Sequence, residues 1–300
     1  MLFKLNPALK SYIWGGTKLK SQWGKTSDEQ TLSESWELSF HSDGPSVIVG
    51  GKFDGQKLCD VVDKSQWGAN CVDFPFFPVL NKLIDADADL SVQVHPDDDY
   101  ALAHENQFGK TEMWYILDAE PGAKLYMGLN KTLTADEFAQ AIQNNTVLDC
   151  LNAVPVKPHE TYFIPSGTLH AIGKGITLFE IQQNSSLTYR VYDYDRRDVN
   201  GNPRQLHIDK AKAVTNLNKY DVPDAVREQL LGKCKYFAAY RYDGERVVFN
   251  ENSFVSFTVI EGKIDVNGNA FVKGETGFAT AGERLKIEGT GTYILTTVER

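Results

Sequence analysis

Short apolar runs separated by turn residues recur along most of the chain, and this pattern predicts strands rather than long helices. Side chains of an extended strand alternate between two faces, so that residues two positions apart share a face. In the run Val92-Gln93-Val94-His95, the valines therefore lie on one face and Gln93 and His95 on the other. The chain is predicted to be mainly β, with a few helices inserted between strands.

Three segments have the pattern expected of a helix. Residues 54 to 66 place apolar side chains at helical spacing and are followed by Gly68, a residue type that commonly ends helices. The sequence Thr134-Ala-Asp-Glu137 has the form of a capping box, which predicts a helix that begins there and ends at about residues 144 to 145. A third helix is predicted from about residue 209 to about residue 216.

The pattern changes from about residue 235 onward, where short apolar runs alternate with glycine. Asn267-Gly268 predicts a tight hairpin turn, and the short strands around it predict a small barrel or sandwich. The polar segment 218 to 223 is expected to connect two parts. We therefore predict a larger domain over residues 1–225 and a smaller β domain over residues 235–300.

Composition and charge limit the function. The formal net charge is −9 and no run of lysine or arginine occurs, which argues against nucleic acid or an anionic membrane as a partner. The four cysteines show no C-x-x-C spacing, the N-terminus has no continuous apolar signal segment, and no stretch is apolar enough to span a bilayer. These features favour a soluble protein of the reducing cytoplasm that acts on a small molecule, and they leave protein partners unknown.

Three separated segments contain residue types that bind metals. Gln93 and His95 share a strand face, Glu112 opens a predicted strand, and His170 follows a Pro-Ser-Gly turn. Two imidazoles, a carboxylate and an amide oxygen form a nitrogen and oxygen ligand set suited to zinc or a neighbouring divalent transition metal. A single histidine more often lies at the surface or in a hydrogen bond. Four further histidines are therefore left unassigned: His41, His104, His159 and His207.

The segments around these residues resemble the type I mannose-6-phosphate isomerases, in their short bacterial form. The resemblance rests on residues 90–98 (LSVQVHPDD), 109–114 (GKTEMW) and 165–170 (PSGTLH). It extends through further segments and so covers nearly the whole chain: residues 34–39, 76–82 and 187–196.

The resemblance implies a cupin, a jelly-roll β-barrel, as the catalytic domain. It implies that the chain is an enzyme, and that one zinc ion per chain is held by four residues: Gln93, His95, Glu112 and His170. In cupins a turn matching residues 280–283 often delivers a histidine, whereas no histidine follows His207 here. The second domain is therefore expected to be a degenerate cupin-like domain that lacks metal ligands and packs against or caps the first.

An aldose–ketose isomerase moves a proton between adjacent carbons through an enediol, so it needs a base near the carbons and stabilisation of an oxygen. Glu180 alternates with Phe179 and Ile181; it is the candidate proton carrier if its face lines the barrel, and an ordinary exposed acid if it points outward. Lys110, two residues before Glu112, would bring an ammonium group near the metal-bound oxygens of the substrate or remain a solvated surface lysine.

Two residues are candidates for binding the substrate. The family resemblance implies an active-site role for Arg190, whose guanidinium could bind a phosphate or the developing enediol oxygens. Ser91 shares the face of Gln93 and His95 and resembles the serine that meets the substrate phosphate in the family; alternatively it is a hydroxyl at a strand end.

We therefore expect a zinc-dependent isomerase that interconverts mannose 6-phosphate and fructose 6-phosphate. One alternative is a non-catalytic, metal-dependent sugar-binding or regulatory cupin, in which the metal holds a ligand without reaction. Others are a cupin oxygenase, which would consume oxygen, and an isomerase of another sugar phosphate.

Overall fold

Four antiparallel sheets form two double-layered β-barrels in the computed structural model, which describes residues 1–197 and 201–300. The strands of these residues are, in chain order, β1 (Leu2–Asn6), β2 (Ala8–Lys10), β3 (Glu34–Leu38), β4 (Val47–Val49), β5 (Val79–Ala86), β6 (Val92–Val94), β7 (Glu112–Ala119), β8 (Lys124–Leu129), β9 (Leu151–Pro155), β10 (Thr161–Ile164), β11 (His170–Ile172), β12 (Ile176–Gln183), β13 (Tyr189–Tyr192), β14 (Leu230–Lys233), β15 (Ala238–Asp243), β16 (Arg246–Phe249), β17 (Val255–Glu261), β18 (Lys263–Val266), β19 (Asn269–Val272), β20 (Thr276–Ala279), β21 (Arg284–Gly289) and β22 (Thr292–Thr297). The predicted mainly β class is confirmed.

The helices inserted between these strands are short. They are α1 (Lys18–Ser21), α2 (Leu58–Val61), α3 (Asp98–Glu105), α4 (Ala135–Gln143) and α5 (Ile208–Val214), with 3-10 turns at Gly51–Phe53, Lys64–Gln66, Ala69–Cys71 and Val147–Cys150. None of the described helices combines the length and the hydropathy needed to cross a membrane.

The first barrel consists of a six-stranded sheet, in the order β10-β7-β12-β5-β3-β2, and a five-stranded sheet, in the order β13-β6-β11-β8-β9. Apolar side chains from the two sheets meet between them, with Trp114 and Leu178 from the first sheet and Leu125 and Ile172 from the second in one buried cluster. Polar side chains from the same strands line a cleft in this barrel.

The outer faces of both sheets are also covered. Every residue of β5 and β12 is buried, because Phe179 and Ile181 pack behind the sheet against Phe278 and Ile294 of the second barrel. Antiparallel sheets often expose one face to water, and here the second barrel removes that exposure. On the five-stranded sheet, the valines of β6 pack instead against α4 and α5.

The second barrel consists of a seven-stranded sheet, in the order β14-β15-β22-β17-β20-β1-β4, and a four-stranded sheet, in the order β16-β21-β18-β19. Apolar side chains fill its interior, including Phe257, Phe271 and Leu285. The predicted hairpin is confirmed, since Asn267 and Gly268 join β18 to β19 with positive φ angles of 52° and 83°. Because β1 pairs with β20, the first strand of the chain lies in the sheet of the second barrel, and the division at residues 1–225 and 235–300 stays a prediction.

Two of the three predicted helices are confirmed. The capping box is formed by Thr134 and Glu137 at the start of α4, and α5 covers most of the third segment. The helix predicted over residues 54 to 66 is wrong, since only the single turn of α2 and a 3-10 turn form there. The first residues of this segment do not form helical hydrogen bonds. Instead, the carbonyl of Gln56 and the N–H of Leu58 form hydrogen bonds with the segment that contains β4.

A buried ion pair joins the two barrels. Glu37 of β3 is fully buried, and its Oε1 lies 2.6 Å from Nζ of Lys25. Its Oε2 accepts a hydrogen bond of 2.9 Å from Thr276 of β20, and Lys25 donates one of 2.6 Å to the carbonyl of Gly274. The pair therefore satisfies polar groups from both barrels at their interface.

We expect Glu37→Gln and Lys25→Met each to lower the free energy of unfolding by about 3–5 kcal/mol, because each leaves the other charge buried and unpaired. The double variant should cost clearly less than the sum of the two single changes. Urea unfolding measures all three. Lys286→Met is the control, since Lys286 and Glu288 form an exposed pair whose loss should leave the stability nearly unchanged. Strictly additive effects of Glu37→Gln and Lys25→Met would contradict the expectation.

Candidate metal centre

Three strands of the first barrel bring the predicted metal ligands together. Gln93 of β6 pairs directly with His170 of β11, His95 follows β6, and Glu112 begins β7 in the facing sheet. The valines of β6 point to the helices, as the alternation predicts, so that Gln93 and His95 point into the barrel. Three segments far apart in sequence therefore converge inside one barrel.

The ligand atoms of His95, Glu112 and His170 all lie within 4.8 Å of one another, and all three side chains are buried. Nε2 of His170 lies 3.2 Å from Oε1 of Glu112, and Nε2 of His95 lies 3.6 Å from its Oε2. The side-chain amide nitrogen of Gln93 lies 3.3 Å from Nε2 of His170. Rotation of this amide by half a turn would present its oxygen instead, the atom type that binds metals.

Backbone carbonyls set the protonation of both histidines. Nδ1 of His95 lies 2.7 Å from the carbonyl of Leu187, and Nδ1 of His170 lies 2.8 Å from the carbonyl of Thr168. Because a carbonyl only accepts hydrogen bonds, each Nδ1 carries the proton and each Nε2 presents a lone pair to the centre of the site. Metal-binding histidines are commonly oriented by a bond of this kind.

The residues fit a divalent cation. The lone pair of His170 Nε2 faces an oxygen of Glu112 at 3.2 Å in a fully buried position, where two acceptors repel each other unless a proton or a cation lies between them. Two neutral imidazoles and a carboxylate, with an amide in reach, form the nitrogen and oxygen set that zinc binds.

Burial shifts the pKa values of these groups towards their neutral forms. Burial raises the pKa of Glu112, and the nearby carboxylate of Glu180 adds to the increase, although Lys110 opposes it. Burial lowers the pKa of His170 to about 4, and it lowers the pKa of His95 well below its ordinary value, with Lys110 adding to that decrease. Both imidazoles are therefore neutral near pH 7, the form that binds a metal.

Lys110 and Glu180, two of the predicted catalytic residues, lie next to the ligands. Nζ of Lys110 lies 2.6 Å from Oε2 of Glu112 and 3.7 Å from Oε1 of Glu180, and both side chains line the cleft. Trp114 donates a hydrogen bond of 2.9 Å to Oε2 of Glu180. Burial alone would raise the pKa of Glu180, but the charges of Lys110 and Lys82 outweigh it and lower the pKa. Glu180 is therefore an ionised carboxylate inside the barrel.

Sequence reasoning missed Lys82, which completes this cluster from β5. Its Nζ lies 3.2 Å from Oε1 of Glu180 and 3.6 Å from Oε2 of Glu34, and it lies over the ring of Trp36. The signal was available, because Lys82 shares a strand face with Ile84 in a strand that is otherwise largely apolar. A lysine at an inward position of a buried strand needs a negative partner, which the sequence alone did not identify.

The predicted substrate-binding residues also line the cleft, and Arg190 pairs across the strands with Gln93. Arg190 of β13 donates a hydrogen bond of 3.2 Å from Nε to the hydroxyl of Ser91, and one of 3.0 Å from Nη1 to the carbonyl of Gln205. His207, for which the sequence predicts no role, also lines the cleft, and its Nδ1 accepts a hydrogen bond of 3.2 Å from the backbone N–H of Arg190.

The cleft encloses about 300 Å³, a volume at the lower end of the range of small-molecule sites. Its lining includes acidic groups, lysines and arginines, together with three aromatic side chains: Tyr12, Trp14 and Trp36. The arrangement can bind a metal and an anionic small molecule side by side. The carboxylate of Glu180 lies in the same cleft, between the ammonium groups of Lys82 and Lys110.

The chain matches known proteins along most of its length. Residues 2–136 match the family described as phosphomannose isomerase type I, catalytic domain. The mannose-6-phosphate isomerase ManA of Bacillus subtilis is 39% identical over 268 residues, which cover 86% of this chain and 84% of that protein.

Solved structures give the same relationship. The crystal structure of the mannose 6-phosphate isomerase from Bacillus subtilis superposes with a TM-score of 0.87 at 35% identity, covering 98% of this chain and 99% of that one. A zinc-bound mannose 6-phosphate isomerase superposes with a TM-score of 0.79 at 18% identity, covering 100% of both chains, a likeness that concerns the fold alone.

We expect His170→Ala to abolish metal retention, because it removes one of two imidazole ligands from the buried site. Protein loaded with zinc and then dialysed should keep about one equivalent of zinc in the unchanged chain and less than about a tenth of that in the variant, as measured by elemental analysis. Circular dichroism checks that the fold is kept. His104→Ala, a change at an exposed histidine, should retain zinc fully, and a zinc-loaded His170→Ala protein would contradict the assignment.

Proposed function

Since the chain belongs to the type I phosphomannose isomerase family, we propose that it is a zinc-dependent isomerase that interconverts mannose 6-phosphate and fructose 6-phosphate. The observation that carries the proposal is the buried group of His95, Glu112 and His170 directly beside Lys110 and Glu180. An isomerase needs an electrophile for the sugar oxygens and a base for the carbon-bound proton, and these residues would supply both.

Gln93, His95, Glu112 and His170 would hold one zinc ion. When bound, zinc supplies a Lewis acid that polarises the oxygens of the sugar. The charge of Lys110, 2.6 Å from Glu112, would favour the ionised form of that carboxylate, the form that binds a metal. The carbonyls of Leu187 and Thr168 would hold the two imidazoles in the tautomer that binds.

Glu180 is the proposed proton carrier. The proton on carbon 2 of the aldose moves to the carboxylate, which leaves an enediol, and the same carboxylate returns a proton to carbon 1. Meanwhile a proton passes from the oxygen on carbon 2 to the oxygen on carbon 1, so that all atoms are conserved. Lys82 and Lys110 keep Glu180 ionised before the reaction, which is the form that accepts a proton.

Lys110 would donate a hydrogen bond to the sugar oxygens as negative charge develops there. Arg190 and Ser91 would bind the phosphate of the substrate. The guanidinium of Arg190 is hydrogen-bonded to a hydroxyl and to a backbone carbonyl, both uncharged, so its positive charge is available to an anion. We also propose that residues 1–225 act as the catalytic domain, and that residues 235–300 lack metal ligands and support it from behind.

We expect purified protein treated with a chelator to lose conversion of mannose 6-phosphate to fructose 6-phosphate, and to regain it when zinc is added. A coupled assay for fructose 6-phosphate measures both. Glucose 6-phosphate as substrate and oxygen consumption serve as controls for the other isomerase and for an oxygenase.

Activity that survives complete metal removal would reject the metal-dependent mechanism. A zinc-loaded protein that binds mannose 6-phosphate but converts none of it would reject the isomerase and favour the non-catalytic sugar-binding cupin.

We expect Glu180→Gln to lower kcat by at least about a hundredfold, because the amide has nearly the same shape but cannot carry the proton. Exchange of the substrate's carbon-bound hydrogen with deuterated water, followed by NMR, should fall in parallel. The zinc content should be unchanged, since Glu180 is outside the proposed ligand set. Glu251→Gln makes the same chemical change at an exposed position and should have no effect; full exchange by Glu180→Gln would assign the proton to another residue.

A further inference from the structure

The segment after β13 forms a cluster of arginines around one carboxylate. Asp193 is buried, and its side chain pairs with both Arg196 and Arg204. Arg204 engages it with two nitrogens, of which Nε donates a hydrogen bond of 2.6 Å to Oδ2, and Nη2 donates to Oδ1. Arg196 donates one of 2.5 Å from Nη2 to Oδ1. Tyr194 and Asp195 have positive φ angles of 57° and 52°, and this reversal of the chain lets Arg196 reach Asp193.

The members of this cluster differ in what they face. Nη1 of Arg196 is bonded at 2.5 Å to the backbone carbonyl of Asp89, which fixes that guanidinium in the wall of the protein. Arg204 instead lines the cleft together with Arg190, Ser91 and His207. Of the two arginines that Asp193 binds, Arg204 is therefore the one that lines the cleft.

The cluster leaves positive charge uncompensated at this wall. Asp193 supplies one negative charge to Arg196 and Arg204, while Arg190 is bonded to a hydroxyl and a carbonyl, and no described carboxylate forms an ion pair with it. Burial lowers the pKa of Arg190, and the charges of Arg204 and Arg196 add to the effect, whereas Asp193 opposes it. An anion at this wall would relieve the repulsion between the guanidinium groups.

We infer that Arg204 acts with Arg190 as a second cationic contact for the phosphate of the substrate, and that Asp193 is the residue that positions it. The inference rests on the proposed function, whose substrates carry a phosphate monoester. A guanidinium matches the geometry of phosphate oxygens better than an ammonium does, and two of them select a doubly charged group over a neutral hydroxyl.

Asp193 contributes by limiting the conformations of Arg204. A free arginine side chain loses much of its rotamer freedom when it is immobilised on a ligand. The paired hydrogen bonds to Asp193 hold the guanidinium in the cleft wall before the ligand arrives, which reduces that loss. This positioning role of Asp193 explains why a buried carboxylate lies beside a site proposed to bind an anion.

The test compares Arg204→Gln with Arg197→Gln, which removes the same charge from the same loop. Nη1 of Arg197 bonds to the carbonyl of Gly201, and Arg197 is not among the residues that line the cleft. Zinc-loaded protein is titrated with inorganic phosphate by calorimetry and assayed with mannose 6-phosphate. We expect Arg204→Gln to weaken phosphate binding and to raise KM by about 10–100-fold, with kcat changed less than about threefold, since a charge-assisted contact contributes about 1.5–3 kcal/mol.

Asp193→Asn should raise KM in the same direction but by a smaller factor, because Arg204 keeps its charge and loses its orientation. Arg204→Lys should recover part of the phosphate affinity through its charge. Arg197→Gln should match the unchanged protein in both measurements. A role of Arg204 in loop structure alone would lower the unfolding temperature without changing the phosphate affinity or the ratio of KM to kcat.

Equal phosphate affinity in Arg204→Gln and the unchanged protein, or no phosphate binding by the unchanged protein, would overturn the inference. The two proposals fail separately. Protein that binds phosphate through Arg204 but does not convert mannose 6-phosphate would retain the anion site and reject the isomerase, whereas an active enzyme with unaltered phosphate binding in Arg204→Gln would do the reverse.

Discussion

The balance of charge inside the first barrel is the constraint on which the rest of the site depends. Three carboxylates, those of Glu34, Glu112 and Glu180, face the two ammonium groups of Lys82 and Lys110. A low-dielectric interior does not tolerate an unpaired charge, so one further positive charge is needed, either as a proton or as a metal cation. Burial raises the pKa of Glu112, with Glu180 adding to the increase, in the direction that meets this need.

Rigid surroundings keep these charges at fixed distances. β5 and β12, which carry Lys82 and Glu180, are buried on both faces because the second barrel packs behind them. A cluster of apolar side chains fills the interior of the second barrel, which packs behind the site. The chemistry and its mechanical support are thus divided between the two faces of the same sheet. Arg190 belongs to the other sheet, where its strand pairs with the strand of Gln93, so that the anion-binding and metal-binding residues are neighbours in the cleft.

Sequence reasoning succeeded where a single local rule determines the outcome. The alternation of side chains correctly placed Gln93 and His95 on the face opposite the valines, and it put Glu180 opposite Phe179 and Ile181. The capping box predicted the start of α4 for the same reason, since its hydrogen bonds join residues three positions apart. The helix expected over residues 54 to 66 failed because hydrogen bonds to the segment around β4, distant in sequence, replaced those of a helix.

The sequence by itself determined the strand-rich class, the shared face of Gln93 and His95, and the residue types of a metal site. Period-two alternation and ligand chemistry depend on the identity and spacing of neighbouring residues. Only the tertiary structure decided that Lys82 and Glu34 join the charges around Glu180, and that Asp193 holds Arg204 in the cleft wall. Those pairings connect residues far apart in the chain or on opposite sides of a turn. Their distances depend on how the sheets pack and how the loop reverses, and no local spacing in the sequence encodes that.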